Sequence, residues 1–311
     1  MRTLVFFLIA AVASSLAQTP GTRVLLDAHN CYPQDGKWND RIDRALATRL
    51  PLAIEQDLHY IGGRVVVAHD SPPTGAEPAV RDYFFERIRP LMESALQKND
   101  RATWPILVLN LDFKSNERPL LEAVWKLLGE YEGWITTAKR TGNGAAQEAL
   151  EWKPLLILTG DAEEQERVFY DEVPVGGKLR LFGAARVVNG SQWNTPPAMM
   201  VPARASNYRR WWNNPWNVVE QGGQQNAGDW TPEDESRLIA LVNHAHKHGY
   251  WMRFYTLNGY TPAETLAMGT TKSYNFASEF AAKQRWLAAR QALVDFIASD
   301  MYEQLAATLR Q

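Results

Sequence analysis

The sequence predicts an α/β fold, a closed (β/α)8 barrel of the TIM type with a short insertion after its second strand. Short apolar runs alternate with segments of helical periodicity, and eight such units can be counted. No repeat or low-complexity segment divides the chain of 311 residues into two domains. Alternation of strands with helices indicates a parallel sheet, and eight units favour closure into a barrel.

The first 17 residues are expected to be a secretory signal peptide. The apolar run Leu4–Ala13 is shorter than the ~20 residues of a membrane span. Ser15 and Ala17 supply small side chains for cleavage before Gln18. Residues 18–311 are then expected to be one exported barrel domain, secreted or periplasmic.

The first half of the chain alternates between strand and helix patterns. Ile42, Leu46 and Leu50 recur at helical spacing, and Pro51 ends that helix. A Gly-Gly turn then leads into the short inserted strand. The predicted elements are strand Val24–Leu26, helix Trp38–Leu50, strand Leu52–Leu58, inserted strand Val65–Val67, helix Val80–Gln97, strand Ile106–Phe113 and a helix through Leu120, Val124, Leu127 and Tyr131.

The second half continues this pattern. Thr231, Pro232 and Glu233 are typical of a helix start, and Gly249 is typical of its end. Residues 186–230, rich in Asn, Pro, Gln, Gly and Trp, are expected to form long loops over one end of the barrel. The predicted elements are strand Leu155–Leu158, helix Glu163–Asp171, strand Leu179–Ala184, a strand near Ala203–Asn207, helix Thr231–Gly249, strand Trp251–Leu257, helix Ser278–Leu293, strand Phe296–Ser299 and helix Tyr302–Leu309.

Composition argues against several classes of protein. The net charge of −2 is mixed along the chain, which argues against a broad nucleic-acid-binding surface. Cys31 is the only cysteine, so we expect no internal disulfide and interpret Cys31 as a buried, inert thiol. The 12 tryptophans fit an aromatic substrate cleft and fit an ordinary large core equally well.

Polar residues stand at the ends of the first predicted strands, where barrels of this type build active sites. These ends read Asp27-Ala-His29-Asn30, Glu55-Gln-Asp57, His69-Asp70 and Asn110-Leu-Asp112-Phe-Lys114. The two-residue period of a strand places Glu55 and Asp57 on one face, and likewise Asp112 and Lys114 on the next strand. If both faces point inward, three carboxylates converge.

Two carboxylates near ~4 Å repel by about 4 kcal/mol at an effective dielectric constant of about 20. A cation, a shared proton or solvent could offset this repulsion. Three carboxylates suit a hard cation such as Mg²⁺ or Ca²⁺, whereas zinc would recruit more His or Cys. His29 and His69 would then fit acid and base roles, worth about 10²–10⁴-fold in rate. Lys114 would stabilise an anionic substrate.

Each of these residues also has an ordinary interpretation. Glu55 and Asp57 could be salt-bridge partners, single histidines are more often structural, and Lys114 could be a solvated residue beyond its strand. These interpretations weaken together because the residues gather at the ends of neighbouring strands.

The motifs resemble those of the phospholipase C-like phosphodiesterase superfamily. It includes glycerophosphodiester phosphodiesterases, phosphatidylinositol-specific phospholipases C and spider-venom phospholipases D. The resemblance lies in the ordered set His29-Asn30, Glu55-x-Asp57, His69-Asp70 and Asp112-x-Lys114, and in the segments 244-HAHKHGYWMRFYTLNG-259 and 296-FIASDMYEQL-305. These segments look like the last two barrel strands of the glycerophosphodiesterases.

The resemblance implies a metal-dependent phosphoric diester hydrolase that acts on glycerophosphodiesters, phospholipid head groups or related diesters. It implies one divalent cation, Mg²⁺ or Ca²⁺, held by Glu55, Asp57 and Asp112. It also implies that His29 and His69 form the acid–base pair. Attack by a neighbouring substrate hydroxyl, by water or by a histidine nucleophile all remain open.

Three positions depart from the glycerophosphodiesterase pattern. His29-Asn30 is instead like the eukaryotic phospholipases C, in which this Asn is a metal ligand, so Asn30 is a candidate fourth ligand. Asp112 replaces the usual Glu, as in the venom enzymes. Tyr255 stands where the family often has Trp and is, with Lys114, a candidate substrate-binding residue. The head-group preference therefore stays open.

Two further segments have more than one interpretation, and two other functions fit a barrel of this kind. His244, His246 and His248 are interpreted as helix-terminal residues that favour the helix dipole. Arg209–Trp212 fits either lipid head-group contact at a membrane surface or a packed loop with exposed arginines. A glycoside hydrolase barrel would need no metal, and a non-catalytic ligand-binding barrel would lack turnover. Oligomeric state is left open.

Overall fold

The computed structural model describes residues 19–34, 36–49, 51–69, 72–104, 106–190, 192–268 and 274–311. The predicted signal peptide and Asp70 lie outside these ranges. The strands are β1 (Leu25–Ala28), β2 (Leu52–Ile61), β3 (Arg64–Val67), β4 (Leu107–Phe113), β5 (Ala138–Lys139), β6 (Leu155–Thr159), β7 (Lys178–Leu179), β8 (Phe182–Ala184), β9 (Arg209–Pro215), β10 (Trp251–Tyr255) and β11 (Phe296–Ser299).

Eight of these strands form a closed parallel barrel in the order β1-β2-β4-β6-β8-β9-β10-β11. Closure comes from β1, which pairs in parallel with both β11 and β2. β3 is added antiparallel to the outer half of β2, where Leu58 is opposite Val67. The predicted fold class and the insertion after the second strand are therefore confirmed.

Helices connect the barrel strands and cover the outside of the sheet. They are α1 (Arg41–Ala47), α2 (Glu86–Lys98), α3 (Arg118–Glu130), α4 (Glu163–Glu166), α5 (Pro197–Met200), α6 (Pro232–Lys247), α7 (Pro262–Met268), α8 (Glu279–Gln291) and α9 (Tyr302–Leu309). The predicted start of α6 is confirmed by a capping box in which Thr231 and Asp234 bond each other's backbone N–H. Among the described residues, no helix combines the length and apolar character needed to cross a membrane.

The strand predicted near Ala203–Asn207 is wrong, because β9 lies at Arg209–Pro215. Both interpretations of Arg209–Trp212 are wrong as well, since this segment is a buried barrel strand. Arg209 is 8% exposed and lies 2.6 Å from Glu166, and Arg210 donates to the carbonyl of Glu148 at 2.8 Å. Buried partners from distant parts of the chain thus accommodate a sequence that looks like a charged loop.

Aromatic residues fill much of the protein core. Of the two interpretations of the 12 tryptophans, a large core and an aromatic cleft, the core therefore accounts for several of them. Trp211, Trp212, Trp216 and Trp286 are among the largest fully buried side chains. Cys31 is fully buried, and this burial raises the pKa of its thiol to about 12, as expected of an inert cysteine.

Candidate active site

All eight predicted site residues line one cavity of about 170 Å³ at the carboxyl end of the barrel strands. They are His29, Asn30, Glu55, Asp57, His69, Asp112, Lys114 and Tyr255. The cavity is also lined by residues that were not predicted as site residues: Asn110, Leu111, Gly160, Trp211, Asn213, Arg253 and Tyr274.

The carboxylates converge because β2 and β4 run in parallel register. Glu55 lies opposite Asn110, and Asp57 lies opposite Asp112, so the inward faces of both strands meet. Glu55, Asp57 and Asp112 each offer an oxygen, and these atoms all lie within 4.8 Å of one another. A cluster of three carboxylates is a donor set that fits a hard divalent cation.

Lys114 links two of these carboxylates. Its Nζ lies 2.7 Å from Asp57 Oδ2 and 2.7 Å from Asp112 Oδ2. Burial alone would lower the pKa of Lys114, but the charges of Asp57 and Asp112 outweigh it and raise the pKa. The ammonium group therefore stays charged between the two acids.

The pKa values of Glu55 and Asp57 move in opposite directions. Burial would raise the pKa of Glu55, but the charges of His29 and Arg253 outweigh it and lower the pKa to about 2. Burial, together with the charges of Glu55 and Asp112, raises the pKa of Asp57 to about 8. Two acids on one face of one strand thus differ in their tendency to hold a proton.

His29 is held on several sides. Its Nδ1 lies 2.7 Å from Asp300 Oδ1, and its Nε2 lies 3.4 Å from Glu55 Oε2. Tyr255 stacks on the imidazole at a centroid distance of 6.0 Å, and Tyr274 meets it edge-on at 5.7 Å. Burial would lower the pKa of His29, but the charges of Glu55 and Asp300 outweigh it and raise the pKa.

His69 reaches the cavity through the inserted hairpin. The N–H of Ala68, just beyond β3, donates to the carbonyl of Asp57 at 3.0 Å, which brings His69 beside the carboxylates. His69 is exposed, whereas His29 is 5% exposed. The two predicted catalytic histidines therefore line the same cavity from different structural settings.

Asn30 adopts a left-handed backbone with φ of 50° at the turn after β1. Its N–H donates to Glu55 Oε2 at 3.1 Å, and its side-chain amide donates to Asp300 at 3.2 Å. Its side-chain oxygen accepts a hydrogen bond from Tyr32 at 2.5 Å. Asn30 thus supports Glu55 and Asp300, and its role as a metal ligand stays a prediction.

Arg253 was not predicted as a site residue. Its guanidinium group forms a buried ion pair with Asp27 and donates to Asn213 at 3.0 Å and to Glu55 at 3.1 Å. An ionised residue in the otherwise apolar strand β10 was the available signal. Asp300 was also missed, although it directly follows the last strand β11 just as His29 directly follows β1. Tyr274 lies in a loop and gave no such signal.

The histidines of α6 have structural partners, in agreement with their interpretation. His244 Nε2 lies 2.8 Å from the carbonyl of Val201, and His248 Nδ1 lies 2.9 Å from the carbonyl of His244. His246 Nε2 lies 2.9 Å from Asp295.

The chain matches no family model and no curated protein. It is similar to the solved structure of a glycerophosphoryl diester phosphodiesterase from Parabacteroides distasonis, with 14% identity, a TM-score of 0.45 and coverage of 95% of this chain and 90% of that chain. A tri-modular GH5 endo-β-1,4-glucanase from Bacillus licheniformis is 11% identical, with a TM-score of 0.45 and coverage of 96% of this chain and 60% of that chain.

An HPPK-DHPS protein from Plasmodium falciparum is also similar, at 8% identity and a TM-score of 0.45, with coverage of 94% of this chain and 47% of that chain. This chain thus spans about half the length of that protein. These three proteins have different names and the same TM-score, so the likenesses do not discriminate between activities.

Proposed function

We propose that this protein is a metal-dependent phosphoric diester hydrolase that acts on glycerophosphodiesters, phospholipid head groups or related diesters. The observation that carries the proposal is the convergence of Glu55, Asp57 and Asp112 beside a histidine that Asp300 holds in place. Carboxylates for a cation, a buried imidazole and an ammonium group are the parts that phosphodiester cleavage requires.

Glu55, Asp57 and Asp112 would hold one divalent cation, Mg²⁺ or Ca²⁺, with Asn30 as a candidate fourth ligand. When bound, the cation would stabilise negative charge on the phosphoryl group. The charges within the cluster favour this assignment: Lys114 is shared by Asp57 and Asp112, and Arg253 is shared by Glu55 and Asp27. Two cations are thus shared among four carboxyl groups, Asp27, Glu55, Asp57 and Asp112.

His29 is suited to exchange a proton at Nε2. Its Nδ1 is engaged by Asp300, so the tautomer with a proton on Nδ1 leaves Nε2 as the reactive nitrogen. In the proposed reaction one histidine takes a proton from the attacking water or substrate hydroxyl group, and the other gives a proton to the leaving oxygen. The second histidine is His69, and Lys114 and Tyr255 bind the substrate.

The test is hydrolysis of bis(4-nitrophenyl) phosphate and of glycerophosphodiesters, with and without EDTA. We expect activity that EDTA abolishes and that Mg²⁺ or Ca²⁺ restores. Comparison of soluble glycerophosphodiesters with phospholipid vesicles separates the head-group substrates from the lipids. Normal turnover by a His29→Ala, His69→Ala double variant would rule out the proposed mechanism.

Two other outcomes would replace the proposal. Release of sugar from a glycan in the presence of EDTA would identify a glycoside hydrolase. Binding of a cation and a phosphodiester without cleavage would identify a non-catalytic barrel.

Export belongs to the proposal as well, because residues 1–17 have the pattern of a signal peptide. Expression of the full sequence followed by mass spectrometry of the exported protein should give an N-terminus at Gln18. An uncleaved N-terminus in the recovered protein would contradict this expectation.

A further inference from the structure

Asn258, shortly after β10, is 2% exposed and connects two parts of the chain that are far apart in sequence. Its side-chain oxygen accepts a hydrogen bond from the Ser299 hydroxyl group at 2.8 Å and another from the Asp300 N–H at 2.8 Å. Its own N–H donates to the carbonyl of Tyr274 at 3.1 Å, and its carbonyl accepts from the N–H of Phe276 at 2.8 Å. One side chain therefore holds the end of β11, while its backbone holds the loop that carries Tyr274.

Both of the groups that Asn258 holds are in contact with His29. Asp300 Oδ1 lies 2.7 Å from the Nδ1 atom of the imidazole, and the ring of Tyr274 packs edge-on against it. Movement of Asn258 would therefore change the hydrogen bond and the aromatic contact of His29 together. Asn258 does not line the cavity, so its effect on the reaction must pass through these neighbours.

The backbone just before Asn258 is strained. Thr256 has a φ of 68°, a left-handed conformation that is an outlier for a β-branched residue. The Thr256 hydroxyl group accepts a hydrogen bond from the N–H of Trp216 at 3.2 Å, which fixes the turn. Such strain persists only where the surrounding structure determines it. Here the turn places the side-chain oxygen of Asn258 against the N–H of Asp300.

We infer that Asn258 is a positioning residue for His29, because it fixes both Asp300 and Tyr274 against the imidazole. The kinetic consequence rests on the proposed function, but the orientation of the ring does not. Asn258→Ala would leave the Ser299 hydroxyl group and the Asp300 N–H buried without their acceptor. Asp300 would shift to find another partner, and the imidazole would lose the hydrogen bond and the ring contact that orient it.

The test compares Asn258→Ala with Asn207→Ala in protein carrying ¹⁵N-labelled histidine. Asn207 is a matched control, since it is fully buried, accepts from the N–H of Thr141 at 3.1 Å and donates to the carbonyl of Lys139 at 3.2 Å. In wild-type protein and in N207A, NMR should show His29 protonated at Nδ1. In N258A these resonances should move toward those of an exchanging imidazole.

Kinetics on bis(4-nitrophenyl) phosphate should agree with the spectra. For N258A we expect kcat to fall by about 10- to 100-fold, as misplacement of a catalytic group predicts, while KM changes by less than about threefold. N207A should keep the wild-type kcat. Asn258→Asp keeps an oxygen acceptor, so it should retain the wild-type His29 resonances and most of kcat.

Unchanged His29 resonances in N258A, or an equal change in N207A, would overturn the inference. If N258A does not fold, N258D provides the test. N258D keeps the oxygen that accepts from Ser299 and Asp300, so loss of the wild-type His29 resonances in N258D would mean that these hydrogen bonds do not orient the ring. Absence of phosphodiesterase activity in the wild-type protein would instead refute the proposed function, and the spectra would still decide the role of Asn258.

Discussion

Glu55 and Asp57 lie on the same face of β2, yet each belongs to a differently built side of the barrel mouth. On the histidine side, which we define as His29, Asp300, Glu55 and Arg253, buried acids have partners from neighbouring strands, and the pKa of Glu55 falls to about 2. On the carboxylate side, which we define as Asp57, Asp112 and Lys114, like charges meet and the pKa of Asp57 rises to about 8.

The difference separates two tasks. The residues of the histidine side are hydrogen-bonded to partners on neighbouring strands, so their geometry is set before any ligand binds. The carboxylate side retains repulsion that an added positive charge would relieve. The first side is suited to move a proton, and the second to bind a cation together with Glu55, which contacts both sides.

The largest expected effect comes from His29→Ala, which should separate the two tasks. Loss of an acid–base group should reduce kcat on bis(4-nitrophenyl) phosphate by about 10²–10⁴-fold. The affinity for Mg²⁺, measured by calorimetry, should remain close to that of the wild type because the three candidate ligands Glu55, Asp57 and Asp112 are all retained. A large loss of cation affinity in this variant would show that the two sides are not separable.

Removal of one charge from each side should change stability in opposite directions. In EDTA at neutral pH, Glu55→Gln should lower the free energy of unfolding by about 1–3 kcal/mol, because it removes one of the two carboxylates, Asp27 and Glu55, that pair with the buried Arg253. Asp57→Asn should raise the same free energy by at least about 1–2 kcal/mol, since a neutral amide does not have to take up a proton on folding, as the buried Asp57 carboxylate does at this pH. Urea unfolding measures both. Equal destabilisation of both variants would contradict the proposed difference between the histidine side and the carboxylate side.

Cation binding should depend on pH through Asp57. Without a cation, this carboxyl group holds its proton below about pH 8, so a cation must displace a proton there. Mg²⁺ affinity should therefore rise by about tenfold per pH unit toward pH 8. Calorimetry in buffers of different ionisation enthalpy measures the released proton, and Asp57→Asn should lose this dependence.

The same shift has a consequence for stability in EDTA. Because the folded-state pKa of Asp57 lies above its unfolded value of about 3.9, its stabilising contribution is complete below that value. The contribution is lost as the pH rises to about 8. Subtraction of the Asp57→Asn profile from the wild-type profile isolates this term. A difference that grows with pH instead would contradict the assignment.

The smallest expected effect is that of Lys114→Met. Removal of the ammonium group, which lies 2.7 Å from both Asp57 and Asp112, should raise Mg²⁺ affinity by about three- to tenfold, because this charge no longer competes with the ion. KM should rise, since a substrate-binding cation is lost. Lys178→Met is the matched control, because Lys178 is paired with Glu132 at a distance from the cavity. Equal or weaker cation binding in Lys114→Met would argue against this competition.

Local pattern was enough to predict that the three carboxylates converge. Strand alternation and parallel register are short-range rules, and they place Glu55, Asp57 and Asp112 together without knowledge of the rest of the chain. The histidine side needed more. Asp300 meets His29 only because β11 pairs with β1, and Arg253 enters because β10 lies beside β11 in the closed barrel.

The failure at β9 has a related cause. A strand that begins with two arginines is expected to be exposed unless its partners are known, and Glu166 and the carbonyl of Glu148 come from other parts of the chain. The burial of Arg209 and Arg210 therefore depends on tertiary contacts and cannot be predicted from a short segment of the sequence.

The hydrogen bond between His29 and Asp300 joins residues separated by 271 positions. A growing chain that has not yet added β11 contains every predicted ligand and both histidines, but its sheet has two unpaired edges. Completion of the ring and placement of Asp300 against the imidazole are consequently a single event, which must wait until β11 has been synthesised.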